Sequence, residues 1–190
     1  MIYLYAIGER DGELVAFVRD GVTEPPAPAR EALERHDRVV SRLAKEGAVL
    51  PVRFGTLVRD DEAIRELLNE RRDELIRQIE HVRGRVEMGV RATWARHRHH
   101  RRRRAARTGT DFMRGKLARR AAAQKAAGDL HPLLAELSVD SVLTLCPRED
   151  TAFSAAYLVE REDVERFTER VPDDDSLTLT GPWPPYSFSA

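Results

Sequence analysis

The sequence predicts an α+β protein of two small domains, the second with a ferredoxin-like β-α-β-β-α-β order. Three observations carry this. Apolar residues switch between a period of two and a period near 3.6 along the chain, which separates strands from helices. Clusters of glycine and proline punctuate those periodic segments at short intervals. The length of 190 residues, 42% of them hydrophobic, supplies a core for one compact domain or two small ones.

The chain opens with two apolar runs, Ile2–Ile7 and Leu14–Val18. The turn-rich stretch Gly8–Gly12 lies between them, so the pair reads as a β-hairpin with a longer loop. Thr23–Pro28 is proline-rich and is excluded from a helix interior. A helix follows from about Ala29 to Lys45, with Ala32, Leu33, Val39, Val40 and Leu43 near helical spacing and Gly47 as its stop. Val49–Phe54 reads as a strand. Pro51 removes one backbone donor, so this strand belongs at a sheet edge or a bulge. Asp60-Asp61 starts a second helix, because acids favour the positive helix end. It is expected to run to Val82 along a stripe of Ile64, Leu67, Leu68, Leu75, Ile76 and Ile79.

The period then changes to two. Val86, Met88, Val90, Ala92 and Trp94 alternate with polar residues or glycine, the pattern of a half-buried strand. A basic tract spans Arg96–Arg107. A helix is expected from about Asp111 to Leu137, interrupted near Gly128 and Pro132. Ser141–Cys146 and Phe153–Val159 form a hairpin across Pro147–Asp150. Arg161–Val171 is a helix anchored by Val164 and Phe167, and Leu177–Thr180 is a last strand. This places a first domain at residues 1–83 and a second at 84–190, ending in the tail Gly181–Phe188.

Composition excludes several classes. Lys+Arg and Asp+Glu both number 32, so the net charge is zero, unlike a uniformly basic nucleic-acid-binding domain. No apolar run approaches the ~20 residues of a membrane span, and the first ten residues lack the features of a signal peptide. The expectation is a soluble cytoplasmic protein. The single cysteine, Cys146, rules out an internal disulfide framework and a cysteine-rich zinc site. It falls in an apolar strand pattern, which favours an inert buried thiol. Charge is nonetheless segregated. Residues 91–125 hold thirteen Arg/Lys and one acid, whereas residues 136–175 hold twelve acids and four arginines. Such asymmetry points to intramolecular pairing or to a partner of complementary charge.

No GxSxG, P-loop or GxGxxG string is present, so no cofactor or catalytic group is assigned. Candidate contact residues lie elsewhere. Arg53 could grip a carboxylate or a carbonyl; the alternative is an exposed arginine or one paired with Glu31 or Asp37. His36 lies one turn before Val39 and Val40; it reads either as a polar contact beside the Arg53 strand or, more plainly, as a histidine on the helix surface. Arg96–Arg104 clusters arginines and histidines, which suits phosphate neutralisation, metal binding or simply a solvated loop. Asp173–Asp175 reads as an acidic turn and lacks the spacing of a calcium loop. In the tail, prolines hold Trp183, Tyr186 and Phe188 on a stiff frame. The tail either presents these rings to a partner or folds back over its own domain.

Several of these strings, in this order, resemble the gas vesicle protein L/F family. They are Tyr3–Ala6, His36 with Val39-Val40, Leu50–Thr56, Gly84–Val90, Ala156–Val159, Phe167 and Thr180–Phe188. The resemblance runs nearly end to end. Leu50-Pro-Val-Arg-Phe-Gly-Thr56 and the Trp-Pro-Pro-Tyr tail are its specific parts. It implies two α+β domains and a non-enzymatic cytoplasmic accessory protein of gas vesicle formation. Its implied partners are the small hydrophobic shell protein and other accessory proteins, met through Arg53, Phe54, Trp183, Tyr186 and Phe188, with His36 beside them. Strand addition at the Pro51 edge is one mode of contact. An RNA-binding module using the Arg/His tract is the alternative from a different class.

Overall fold

The structure, a computed structural model, describes residues 1–94, 109–145 and 151–189. It divides into two compact units. The first is Met1–Val86 with Trp183–Ala190, and the second is Glu87–Pro182. The aromatic end of the tail therefore counts with the N-terminal residues, whereas the sequence grouped the whole tail with the second domain.

The first unit is built on β1 (Ile2–Arg10), which is buried from Ile2 through Ile7. β2 (Glu13–Arg19) pairs with it antiparallel, with Arg10 opposite Glu13. The hairpin loop is thus only Asp11-Gly12, both at positive φ, the residue pair that suits a tight two-residue turn. The longer loop expected from Gly8 is not formed. Gly8 lies inside the strand, where an added Cβ would stand 2.9 Å from the Phe17 ring and 3.1 Å from the Ala48 carbonyl oxygen. α1 (Arg30–Glu46) buries His36 and Val40.

β3 (Val49–Pro51) pairs with β1 and lies at the edge of the order β2-β1-β3, which agrees with the proline. The expected strand ends early. Val52–Thr56 turns back, with the Thr56 N–H and hydroxyl both donating to the Arg53 carbonyl and Gly55 at positive φ. β4 (Leu57–Val58) then pairs with the start of β1.

One long helix was expected over residues 60–82, and two are present. α2 (Asp61–Glu70) is capped by the Asp60 carboxylate on the Ala63 N–H, and α3 (Arg72–Val82) begins after Arg71. The run Asn69–Glu74 has no apolar residue to hold it against a core. Asp73 and Glu74 suit a fresh helix start, and Arg71 forks onto Glu74. Only α3 buries side chains: Leu75, Ile79 and Val82.

The second unit carries a sheet of order β6-β7-β5-β8. β5 (Arg85–Thr93) alternates as expected, with Val86, Met88, Val90 and Ala92 buried. α4 (Gly109–Ala135) runs unbroken through Gly128 and Pro132, against the expected interruption. Pro132 leaves only the Gly128 carbonyl without its helical donor. The helix beyond it is kept because Leu130 and Leu134 are buried in the core. β6 (Asp140–Leu145) and β7 (Thr151–Glu160) form an antiparallel hairpin. A 3-10 turn (Arg161–Asp163) leads into α5 (Val164–Arg170), which buries Phe167. β8 (Leu177–Trp183) runs three residues further than expected, through a cis Gly181-Pro182 bond. Gly181 sits at φ +115° with the Glu87 carbonyl only 2.7 Å from where a Cβ would be, so glycine alone fits there.

Candidate functional site

Tyr3 and Tyr5 on β1 turn their rings to the same side, 4.8 Å apart, across a register irregularity between Leu4 and Ala6. Helix geometry puts His36 and Val40, four apart on α1, on one stripe. These faces meet. His36 is 5% exposed, a buried histidine and not the surface residue expected from the sequence. The Tyr5 ring stacks on it at 5.4 Å, and Phe54 meets it edge-on at 5.7 Å. Tyr186 from the tail lies at 6.4 Å.

Polar atoms inside this cage form a short relay. The Tyr3 hydroxyl accepts the Gly55 N–H at 3.1 Å and stands 2.9 Å from His36 Nδ1. The hydroxyl donates to Nδ1, which assigns the ring proton to Nε2. Nε2 is buried without a hydrogen-bond partner among the described residues. Burial pushes the His36 pKa down, opposed by the Val52 carbonyl and the Asp37 carboxylate, so the neutral ring is favoured. The carbonyl favours the charged ring without meeting hydrogen-bond geometry. Burial also raises the Tyr3 pKa, against the Gly55 N–H, which favours the phenolate. The donors of the relay serve backbone and ring atoms of the cage itself.

The tail folds back within its own unit. Pro184 and Pro185 are buried, the Tyr186 hydroxyl donates to Asp37 Oδ1 at 3.4 Å, and the Ser189 hydroxyl donates to the Pro51 carbonyl at 2.9 Å. The turn Tyr186–Phe188 thereby lies along β3, and the outer edge at Pro51, expected to accept an added strand, is occupied. The residues chosen from sequence separate accordingly. His36 is buried, Phe54, Tyr186 and Phe188 are half-buried, and Arg53 and Trp183 are exposed, Trp183 at 43%. The Arg53 side chain has no ion-pair partner among the described residues.

A second tyrosine–histidine pair escaped the sequence reading. Tyr157 on β7 is fully buried, its hydroxyl 3.0 Å from His131 Nδ1 on α4 and its ring 5.2 Å from Phe167. Burial pushes its pKa up to about 12. The signal was faint: a tyrosine in a strand and a histidine beside a proline, 26 residues apart. The other surface missed is β6. It is an edge strand among the described residues, with Val142 at 42% and Leu143 at 38% exposure on its opposite faces. Val139, just before it, is 47% exposed.

Among the described residues no group of three or more His, Cys, Asp or Glu is placed to hold a metal ion. No helix there is long and apolar enough to cross a membrane. The Arg/His tract 96–107 and Cys146 lie outside the described residues.

Known proteins are similar to this chain in sequence and in architecture. The family described as gas vesicle synthesis protein GvpL/GvpF matches residues 2–190. Gas vesicle protein L of Streptomyces sp. (strain CB03234) is 32% identical, covering 95% of this chain and 81% of its own length. Gas vesicle protein F of the same strain is 29% identical over 93% and 84%. The crystal structure of GvpF from Anabaena sp. PCC7120 superposes with a TM-score of 0.77 at 20% identity, covering 100% of this chain and 95% of that one.

Proposed function

The chain belongs to the GvpL/GvpF family of gas vesicle synthesis proteins, and from that premise we propose that it binds the apolar shell subunit during vesicle assembly. Its role in gas vesicle formation follows from the family. The way it meets the shell is our reading of the surface.

The observation that carries the reading is the apolar edge at β6, which has no further strand beside it among the described residues. A sheet edge presents unpaired N–H and C=O groups, and proteins ordinarily blunt such edges with charge or proline. Here Val142 and Leu143 leave it apolar on both faces. An extended apolar segment of a shell subunit would add its backbone hydrogen bonds to β6 and bury its side chains on Val139, Val142 and Leu143. The unassembled subunit would then be shielded until it joins the growing shell. The cage in the first unit serves a different purpose in this scheme. His36, Phe54, Tyr186 and Phe188 act as architecture that anchors the tail, and Arg53 and Trp183 remain as the exposed contacts of that unit.

The test is binding of purified shell protein to the wild type and to Val142→Lys with Leu143→Glu. Both positions are exposed, so the fold should persist in circular dichroism. Affinity is expected to fall by about tenfold or more. Unchanged affinity in the folded double variant removes β6 as the contact. Arg53→Ala and Trp183→Ala, measured alongside, report on the first unit.

A further inference from the structure

We infer that the protein forms a symmetric dimer by pairing β2 antiparallel with β2 of a second copy. The sheet of the first unit has the order β2-β1-β3, so β2 is an edge among the described residues. It pairs with β1 on one side, and its other side makes no backbone hydrogen bond to any described residue. An edge of this kind leaves alternate N–H and C=O groups without a protein partner. The run Leu14-Val-Ala-Phe-Val18 is apolar throughout, with no proline or charge inside it to blunt the edge. Leu14–Phe17 are half-buried and Val18 is 38% exposed.

The charges of the strand identify what pairs there. Glu13 opens β2 and Arg19 closes it; both are exposed, and neither has an ion-pair partner among the described residues. Ala16 lies midway between them. An antiparallel copy with Ala16 opposite Ala16 sets Glu13 against the partner's Arg19, and Arg19 against the partner's Glu13. Between these ends Leu14 meets Val18 and Val15 meets Phe17, so apolar groups face apolar groups and each charge faces its opposite. The faces match as well. Glu13, Val15, Phe17 and Arg19 lie on one face of the strand and Leu14, Ala16 and Val18 on the other, and the pairing joins like face to like face. A slip of two residues in either direction breaks both ion pairs. The contact is isologous and closes at two copies.

The strand is held ready for this. Phe17 packs on the core of Tyr3, Tyr5 and Val40. The Arg19 guanidinium lies over the Tyr3 ring, 5.7 Å from its centroid. Both are ordered before a second copy arrives, which lowers the cost of association. The contrast with β6 names the occupant. β6, Asp-Ser-Val-Leu-Thr-Leu, has an acid at one end and no cation to answer it in an antiparallel copy. Of these two edges, only β2 is complementary to itself. The pairing uses neither β6 nor the tail, and its test needs no shell protein.

The experiment is sedimentation equilibrium of the full chain across micromolar to submillimolar concentrations. The wild type is expected to pass from monomer to dimer, with β2 amides gaining protection from hydrogen exchange as it does. Glu13→Arg and Arg19→Glu each set like charges opposite one another twice across the two-fold axis, so each should weaken the dimer by about tenfold or more. An equimolar mixture of the two variants restores both ion pairs and should associate as the wild type does. The double exchange, Glu13→Arg with Arg19→Glu, should do so alone. A misfolded variant would do neither. A wild type that stays monomeric throughout overturns the inference. So does a dimer whose affinity both single variants leave within about twofold, or a loss of affinity that neither the mixture nor the double exchange recovers.

Discussion

Each unit hydrogen-bonds a tyrosine hydroxyl to Nδ1 of a helix histidine, yet the two pairs sit in opposite surroundings. In the second unit Tyr157 is fully buried among aliphatic and aromatic neighbours, and His131 reaches partly to solvent. In the first unit both partners are buried, Tyr3 at 2% and His36 at 5% exposure, and the cage closes over them with a ring from the tail. The same hydrogen bond therefore does different work. At Tyr157 it satisfies one hydroxyl in a core held by packing. At Tyr3 it is the middle of a relay that fixes the turn after β3 and the docked tail. Removing a polar partner should hurt more where water has no access to replace it.

The largest effect expected is in the packed core of the second unit. Phe167→Ala opens a cavity beside Tyr157 and should destabilise that unit by about 3–5 kcal/mol, read as faster amide exchange in β7 and α5. If the loss is under about 1 kcal/mol, packing does not dominate there. Next is Gly181→Ala, which puts a Cβ against the Glu87 carbonyl at a positive φ. It should cost about 2 kcal/mol or more and appear as a lower thermal midpoint.

The comparison itself is tested by two hydroxyl deletions. Tyr3→Phe leaves His36 Nδ1 and the Gly55 N–H without their partner and should cost about 2–3 kcal/mol. Tyr157→Phe should cost only about 1 kcal/mol, because His131 can turn to water. Equal losses in urea titrations would show that burial of the histidine is not what separates the pairs.

A smaller signal comes from pH. His36 has its pKa lowered in the folded state, so the unfolded chain takes up the proton first. That stability is complete above about pH 7 and falls as pH drops through the unfolded value near 6.5 toward the lower folded one. The slope is at most about 1.4 kcal/mol per pH unit. His36→Phe should lose this component below about pH 7, seen as a flatter profile of unfolding free energy. The smallest change expected is at the ion pair of Arg83 with Glu9, 2.7 Å apart and largely solvated. Arg83→Ala should move stability by less than about 1 kcal/mol, and less again in high salt.

Much of the fold was legible because its signals are short-range. The alternation of Val86 to Ala92 required one face of β5 to be buried, whatever it packs against. Pro51 forced β3 to an edge, and Asp60 started α2 where an acid could cap it. The reading failed once on a local signal and once on a contact made in the core. The expected helix over residues 60–82 split because nothing apolar holds Asn69–Glu74. Pro132 did not end α4, because Leu134 beyond it is buried in the core.

The candidate site divides in the same way. Sequence alone determined that His36 and Val40 share a stripe and that the tail is stiff, since these follow from backbone geometry over a few residues. Only the tertiary structure decided that Tyr3 meets His36 across 33 residues and that Tyr186 meets Asp37 across 149. Burial is a property of what surrounds a side chain, and the residues that surround His36 arrive from β1, from the turn after β3 and from the tail.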